Sequence, residues 1–254
     1  MPSDARALAV ALPDVPRWVE TRALLLSGEA LLRHAADADG AIVLDPALPS
    51  GFLVGRADRA LLRDVAAGAP AGFELVVQAD AIDAACAALP GWAPATATVF
   101  SPRSPWRASD VGAPPGVVVC APPEERWLLR VPEADAMRFY AGLAEAIALA
   151  LVGGEVVAVC AAGDVTESLW DVGIDTLPGH RRRGHATAAF RALAAHLAAG
   201  GRQPVWCAED DNTASMAMAA RLGFEPVDRI AILTRRGDDP SAPQARNLAE
   251  RLAS

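Results

Sequence analysis

The sequence has few cysteines and no lysine. Its four cysteines, Cys86, Cys120, Cys160 and Cys207, form no Cys-x-x-Cys pair and no Cys/His cluster with the spacing of a zinc site. This spacing excludes a zinc-finger type of protein, and we expect no metal. We expect the thiols to be free and to pack as small apolar side chains in a reducing compartment.

Long hydrophobic runs are also lacking. The longest apolar run, Ala141–Val152, contains Glu145 and ends at Gly153–Gly154, so it is too short to span a bilayer. The apolar stretch near the N-terminus, Ala7–Leu12, is short and follows Asp4, which makes it a poor signal peptide. We therefore expect a cytoplasmic protein without a membrane partner.

Basic charge is in the minority. The formal net charge is -8 and the sequence pI is about 5.0. A general nucleic-acid binder would need a basic surface, so we expect no nucleic-acid partner. The acidic balance suits a cationic substrate, although net charge mainly affects solubility. With 52% hydrophobic and 21% charged residues, the chain has the composition of a globular protein of one or two domains.

A stretch rich in proline, glycine and serine, Ser101–Gly116, is the best candidate for a domain boundary. We accordingly predict an N-terminal α/β domain at 1–115, a second domain at 116–234 and a polar tail at 235–254. Within the first domain, the hydrophobic patterns predict strands at 41–44, 52–54, 73–77 and 95–100 and helices at 57–67 and 80–89. No motif in this domain indicates a chemistry.

The second domain has sharper signals, and the sequence shows no internal repeat. The patterns predict strands at 116–120, 127–131, 147–152, 155–161, 168–176, 204–208 and 224–233, and helices at 133–146, 184–199 and 213–222. The glycine pair at 153–154 indicates a two-residue hairpin. The fold class is therefore α/β.

One segment, Leu177–Thr187, carries the clearest chemical signal. It reads LPGHRRRGHAT, lies after a predicted strand and leads into a long helix. A helix N-terminus has unpaired N–H groups and a positive dipole, so it attracts phosphate. Gly184 lets an anion approach the backbone, Ala186 keeps that approach open, and the three arginines before them add cationic donors. The segment therefore indicates a pyrophosphate site.

The pattern Arg181-x-x-Gly184-x-Ala186 resembles the Q/R-x-x-G-x-G/A signature of the GCN5-related N-acetyltransferases, the GNAT superfamily. A second block, Asn212-x-x-Ser215 followed by Leu222–Phe224, resembles that family's N-x-x-A/S…L-G-F pattern in the expected order. The resemblance covers roughly residues 117–234. It implies a GNAT fold, a mixed and splayed sheet flanked by helices, preceded here by a smaller α/β domain.

The resemblance also implies a site for acetyl-CoA as co-substrate. The pyrophosphate would bind the loop residues 182–187, and the pantetheine arm would pair with the strand before the loop at 174–176. Asn212 and Ser215 would reach the pantetheine or the thioester. The predicted cofactor-binding residues are Ile174, Thr176, Arg181, Arg182, Arg183, Gly184, His185, Ala186, Thr187, Asn212 and Ser215.

The residues for proton transfer are not identified by the sequence. The family often places a base on the strand before the signature, but the positions expected to face the substrate hold Trp170 and Val172. Asp171 and Asp175 are predicted to face the opposite side unless a bulge changes the parity. Glu167 and Glu209 are further candidates. Where relatives keep a tyrosine acid this chain has Ala219, and its single tyrosine, Tyr140, is expected to pack in the core.

The resemblance implies an acetyl-CoA-dependent N-acetyltransferase in which a primary amine attacks the thioester directly. The acceptor is a small molecule or a peptide amine. The missing base and tyrosine support an alternative, a non-catalytic acyl-CoA-binding or sensing module of the same fold. An acyltransferase for longer acyl chains is a third reading, and the oligomeric state is unknown.

Overall fold

The computed structural model describes residues 4–36, 39–110, 114–120 and 144–238. These residues form six α-helices, which in chain order are α1 Ala5–Ala11, α2 Val19–Ser27, α3 Arg59–Gly68, α4 Ile82–Ala88, α5 His185–Ala198 and α6 Thr213–Arg221. They also form eleven strands, which are β1 Leu31–His34, β2 Gly40–Leu44, β3 Ser50–Gly55, β4 Glu74–Gln78, β5 Trp92–Pro102, β6 Val117–Cys120, β7 Ala146–Val152, β8 Glu155–Val165, β9 Leu169–Thr176, β10 Gln203–Glu209 and β11 Phe224–Arg235.

The chain divides into two compact units. The first comprises the described parts of residues 1–100, 207–217 and 226–254, and the second comprises those of 101–206 and 218–225. The division falls inside four elements, which are β5, β10, α6 and β11. The domain limits proposed from composition, 1–115, 116–234 and 235–254, remain predictions.

The first unit contains a mixed sheet with the strand order β1-β2-β3-β4-β11-β5. β3 and β4 are parallel and are joined through α3, while the pairs β1–β2, β2–β3 and β4–β11 are antiparallel. Leu61 and Leu62 of α3 and Ala85 of α4 pack against strand residues such as Val77 and Leu233 to form a buried cluster. Burial of these apolar side chains is what holds the helices on the sheet.

The second unit has the strand order β10-β9-β8-β7-β6. β9 and β10 are parallel and are joined through α5, and the remaining pairs are antiparallel. Phe190 of α5 lies at the centre of the core, where four aromatic rings surround it at centroid distances of 5.2–6.1 Å: Trp106, Trp170, Trp206 and Phe224. This packing fixes the position of α5 over β9.

Both units contain the same succession of elements. Three consecutive antiparallel strands are followed by a helix that leads to a strand parallel to the third, with α3 as this helix in the first unit and α5 in the second. The two segments share this topology but not their residues, which is why no repeat is visible in the sequence. Because α3 and α5 hold equivalent places in this topology, their N-termini can be compared directly.

The α/β fold class is confirmed. The predicted hairpin is present, although its second strand extends four residues beyond the expected end, and both C-terminal helices lie within one residue of their expected limits. Three elements, α1, α2 and β1, were not expected. The helix predicted at 133–146 is wrong at its end, because Ala146 begins β7 and pairs with Ala162. The rest of that helix, the strand predicted at 127–131, Tyr140 and most of the tail lie outside the described residues.

Candidate active site

The signature segment forms the entrance to α5. A short 3₁₀ turn, Pro178–His180, follows β9, and α5 begins after Gly184, its N-cap residue. Gly184 has φ +86° and makes no side-chain cap, and a Cβ built on it would meet no atom of the described residues within 4 Å. Because Gly184 has no side chain to accept from them, the first N–H groups of α5 keep their capacity to bind an anion, as a phosphate-binding helix N-terminus requires.

The three arginines of the loop have different surroundings. Arg181 donates from Nε to the carbonyl oxygen of Thr176 at 3.0 Å, and its Nη2 lies 3.8 Å from Oδ1 of Asp175. Arg182 and Arg183 are exposed. Arg182 has φ 59° and is the one non-glycine residue with positive φ among those described. Such a conformation costs about 1 kcal/mol or more and often marks a functional loop.

Two histidines flank this loop. The ring centroids of His180 and His185 are 6.0 Å apart and the rings are tilted by 55°. The Nδ1 atom of His180 is enclosed and has no hydrogen-bond partner among the described residues. His185 is the first residue of α5, where its partly exposed side chain lies beside the open N-terminus.

The corresponding helix of the first unit has a closed N-terminus. Asp58 is the N-cap of α3, and its Oδ1 accepts a hydrogen bond from the backbone N–H of Leu61 at 2.7 Å. A carboxylate at this position satisfies a donor and repels an incoming phosphate. Of the two crossover helices, α5 alone is suited to an anion.

Beside this loop, β9 has backbone groups that do not bond to β8. Those of Thr176 bond to side chains instead, since its N–H donates to Oδ1 of Asp175 at 2.7 Å and its carbonyl accepts from Nε of Arg181 at 3.0 Å. The backbone N–H of Leu177 donates to the carbonyl of Val157, so the neighbouring pair Thr176–Ala158 is a non-hydrogen-bonded pair of the antiparallel ladder. The peptide groups of Thr176, and of Ile174 two residues earlier, therefore point away from β8, toward the opposite edge of β9. These are the two strand residues predicted to pair with pantetheine.

That edge of β9 is only partly occupied. The parallel pairing between β9 and β10 consists of Leu169 with Gln203, Trp170 with Pro204 and Asp171 with Val205. β9 continues for five residues beyond Asp171, and within the described part of the chain no strand pairs with these residues on that side. The result is the open strand edge that an extended ligand with amide groups can fill.

Asn212 and Ser215 lie in the first unit. Asn212 caps α6, since its Oδ1 accepts a hydrogen bond from the backbone N–H of Ser215 at 3.1 Å. The turn before it is anchored by Asp210, whose carboxylate accepts hydrogen bonds from the hydroxyls of Thr96 and Thr98 at 2.6 and 2.8 Å. These hydrogen bonds, chiefly that from Thr96, lower the pKa of Asp210. Asn212, which the resemblance assigns to the ligand, is an exposed residue.

The expected proton-transfer positions are apolar core positions. Trp170 is fully buried and stacks on Phe190, with centroids 6.1 Å apart, and Val172 is also buried. The face of β9 that carries Trp170 is therefore covered by α5, and the prediction that this face meets the substrate is wrong. Ala219, at the expected tyrosine position, is likewise fully buried.

Asp171 projects from the other face of β9, because neighbouring strand residues alternate. Its Oδ1 is enclosed and has no hydrogen-bond partner among the described residues, although the residue as a whole keeps some exposure. It lies opposite a bulge in β8, where Gly163 and Asp164 face a single residue of β9. Burial, and secondarily the charge of Asp164, raise the pKa of Asp171 to about 7.

Asp171 also affects a neighbouring thiol. Cys160 of β8 is fully buried, and burial together with the charge of Asp171 raises the pKa of its thiol. Cys160 is therefore a neutral apolar neighbour of the carboxylate. Asp171 and the possibility of a bulge could be named from the sequence, but no signal there marks the bulge itself, which lies in β8.

Within the described ranges, the structure contains neither a candidate metal-binding group nor a helix that could span a membrane. No group of three or more histidine, cysteine, aspartate or glutamate side chains there has the geometry to hold a metal ion. None of the helices described combines the length and apolar character needed to cross a membrane.

Comparison with known proteins agrees with these features. Residues 147–233 match the family model of the GNAT acetyltransferases. No curated protein matches the chain in sequence. The chain is also similar to solved structures, three of which are described below, and each likeness shows the fold.

The first of these is a GCN5-related N-acetyltransferase-like protein from Streptococcus suis 89/1591, with 16% identity, a TM-score of 0.65 and coverage of 91% of this chain and 98% of that one. The second is a GCN5-related N-acetyltransferase from Kribbella flavida, with 15% identity, a TM-score of 0.58 and coverage of 93% and 97%. The third is a tandem GNAT protein from the clavulanic acid biosynthesis pathway, with 16% identity, a TM-score of 0.54 and coverage of 92% and 94%.

Proposed function

Because residues 147–233 belong to the GNAT acetyltransferase superfamily, we propose that this protein transfers an acetyl group from acetyl-CoA to a primary amine. The observation that carries the proposal is the uncapped N-terminus of α5, which lies directly after the open edge of β9. An anion-binding helix end and an unpaired strand edge are together what a pyrophosphate joined to an amide-containing arm requires.

The residues present fit acetyl-CoA as co-substrate. The N–H groups at Gly184–Thr187 would hold the pyrophosphate, and the exposed Arg182 and Arg183 would add charge-assisted contacts. Ile174 and Thr176 would pair with the amides of the pantetheine arm. The five-residue open segment of β9 spans about 17 Å, enough for the extended arm to bring the thioester close to Asp171.

The chemistry supplied by the thioester is acyl transfer. The amine nitrogen forms a bond to the thioester carbonyl carbon, and the carbon–sulfur bond breaks as the CoA thiolate leaves. Holding the two reactants together at the open edge of β9 provides proximity. Asn212 and Ser215 are proposed to contact the thioester end of the ligand. We further propose a cytoplasmic location, in line with four cysteines that form no disulfide.

The alternative is a non-catalytic acyl-CoA-binding or sensing module of the same fold. The observation that favours it is that the positions of the expected base and acid, Trp170 and Ala219, are fully buried apolar residues. It predicts tight binding of acetyl-CoA without release of free CoA.

A thiol-release assay separates the two functions. Purified protein is incubated with acetyl-CoA, and with longer acyl-CoAs, over a panel of small amines, amino acids and peptides, while calorimetry measures acetyl-CoA binding. Amine-dependent thiol release with acetyl-CoA supports the enzyme. Binding without thiol release from any amine in the panel supports the sensing module. A clear preference for a longer acyl chain would replace acetyl by that chain.

A further inference from the structure

A groove runs along the outer edge of the first unit, between β1, the turn that joins β2 to β3, and the C-terminal half of α3. Its volume is about 1350 Å³, and it is open to solvent along its length. Pockets for small molecules are usually smaller and more enclosed, with volumes of roughly 300–1,000 Å³. The groove therefore suits a segment of polypeptide better than a compact ligand.

The walls of this groove are held in place by packing and by hydrogen bonds. Leu44 and Phe73, two of its apolar lining residues, both pack against Gly51, where a Cβ would lie only 2.9 Å from each of them. In the turn between β2 and β3, Oδ1 of Asp45 accepts a hydrogen bond from the backbone N–H of Ala47 at 2.7 Å. A groove with fixed walls loses little conformational entropy when it binds a ligand.

The charges around the groove are mainly negative. Glu29, Asp45 and Asp64 line it, and among the described lining residues Arg33 alone is basic. The last turn of α3, which also lines the groove, contains no basic residue, although Arg235 donates from Nη2 to a carbonyl of that turn at 3.1 Å. A helix C-terminus carries partial negative charge, which adds to that of the carboxylates. A ligand with positive side chains is therefore complementary to the groove.

Beside these charges, β1 has an open strand edge. It is the first strand in the sheet order, and in the described part of the chain no strand pairs with its outer side. The backbone N–H of Ala35 donates to the carbonyl of Gly40, which makes this a hydrogen-bonded pair of the β1–β2 ladder. The peptide groups of Leu32 and His34 therefore point away from β2, and the Leu32 carbonyl accepts a 3.4 Å hydrogen bond from Nη1 of the exposed Arg33. An extended peptide can pair with such an edge as an added strand.

We propose that the edge of β1 and this groove together bind a basic peptide segment in extended conformation. Glu29, Leu31 and Arg33 alternate along the chain and all line the groove, so their side chains lie on one face. Alternate side chains of a peptide paired with β1 would project over the same groove, toward Asp64 of α3. This interaction site is additional to the proposed transferase function and uses none of the residues assigned to acetyl-CoA.

A second copy of this chain is the competing occupant of an open strand edge. The chain has a formal net charge of -8, and pairing two copies through β1 would bring two sets of groove carboxylates toward each other. Like charges placed close together oppose association, whereas a basic peptide neutralises them. The charge pattern therefore favours the peptide.

The test uses a fluorescein-labelled decapeptide of alternating lysine and leucine, and fluorescence anisotropy measures its Kd. Glu29→Gln and Asp64→Asn change the groove, and Asp83→Asn, an exposed carboxylate of α4 outside the groove, is the matched control. We expect each groove variant to raise Kd by about two- to fivefold, as for exposed ion pairs, and the control to leave it unchanged. Arg33→Gln should lower Kd, because it removes a positive charge from the lining.

Modified peptides test charge and strand pairing separately. A decapeptide with glutamate in place of lysine should not bind, because the groove repels it. Two further lysine–leucine peptides are N-methylated, one at every lysine and the other at every leucine, so that each lacks the N–H donors of one edge. Because only one edge of the peptide pairs with β1, one of the two should bind at least tenfold more weakly than the parent and the other about as tightly. These peptides need no change in the protein, so folding of a variant does not affect the result.

Four results would overturn the proposal. They are no binding of the parent peptide, equal Kd values for the groove variants and Asp83→Asn, equal Kd values for the two methylated peptides, and self-association of the protein in sedimentation that Leu31→Lys abolishes. The second result would mean general charge attraction, the third would exclude strand addition, and the fourth would place a second copy on the edge. None of them bears on acetyl-CoA binding or thiol release, which are measured separately.

Discussion

Asp58 and Gly184 are the N-cap residues of the two helices that join parallel strands in the described part of the chain, and only Asp58 caps its helix with a side chain. The Asp58 carboxylate occupies the N-terminus of α3 with a 2.7 Å hydrogen bond to the backbone N–H of Leu61. Gly184 leaves the N-terminus of α5 open. The same topology thus gives a helix N-terminus without a side-chain cap in one unit and a side-chain-capped N-terminus in the other.

Replacing Gly184 by glutamate should weaken acetyl-CoA binding by roughly 2–4 kcal/mol, through lost contacts, steric block and repulsion. The control is Gly201→Glu just beyond the other end of α5, because Gly201 has a similar φ of +82° and equally open space around it. Both variants carry the same backbone strain and the same added charge. Calorimetry should show the loss for Gly184→Glu alone, and equal affinities for the two would refute the assignment of this loop.

The closed N-terminus of α3 predicts one acetyl-CoA per chain. Calorimetric titration should give a stoichiometry near one, although the fold contains two crossover helices. Asp58→Ala should reduce the free energy of unfolding by about 0.5–2 kcal/mol, the usual cost of a lost N-cap, without changing the affinity for acetyl-CoA. A stoichiometry of two in the wild type, or weaker acetyl-CoA binding in Asp58→Ala, would contradict this distinction.

The open edge of β9 predicts where the ligand protects the backbone. A non-hydrolysable acetyl-CoA analogue should slow hydrogen exchange of the N–H groups of Ile174 and Thr176, which point away from β8. Residues of β7, already paired on both sides, serve as the internal control. Thr176→Pro should weaken binding because it removes a donor. Protection confined to the first unit would show that the arm binds elsewhere.

The sequence was sufficient to predict α5, because the strand, the loop and the amphipathic helix are adjacent and each has its own signal. Other elements gave weaker signals. α2 has apolar residues spread along its whole length, including Val19, Leu25 and the exposed Leu26, so no clear helical face marks it. β1 has only four residues, most of them exposed, and therefore lacks the buried run that identifies a strand.

The residues of the candidate site likewise include some that the sequence could identify and one whose surroundings it could not. The loop residues and the strand residues Ile174 and Thr176 could be chosen from one continuous segment, and they remain predictions as ligand contacts. The surroundings of Asp171 could not be anticipated, since they depend on α5 covering the face of Trp170 and on a bulge in a different strand. Both are tertiary features, and the alternation of residues along β9 alone cannot show which face is free.

The last prediction concerns Glu74 of β4 and the pH dependence of stability. Burial, and secondarily the charge of Glu209, raise the pKa of Glu74 to about 7. The folded protein therefore holds the Glu74 proton more tightly than the unfolded chain does. Ionisation of Glu74 lowers the free energy of unfolding by an amount that is absent below pH 4.5, grows as the pH rises, and is complete above about pH 7. Glu74 thus lowers the free energy of unfolding in alkaline solution.

Glu74→Gln should therefore raise the free energy of unfolding by about 1–3 kcal/mol at pH 8 and change it little at pH 4.5. Thermal melts at the two pH values measure the difference, and the gain at pH 8 corresponds to a rise in Tm of several degrees. Glu29→Gln is the matched control, since Glu29 is exposed and should show no such dependence. A gain of the same size at both pH values would mean that the glutamine packs better, and would remove the carboxyl titration as the cause.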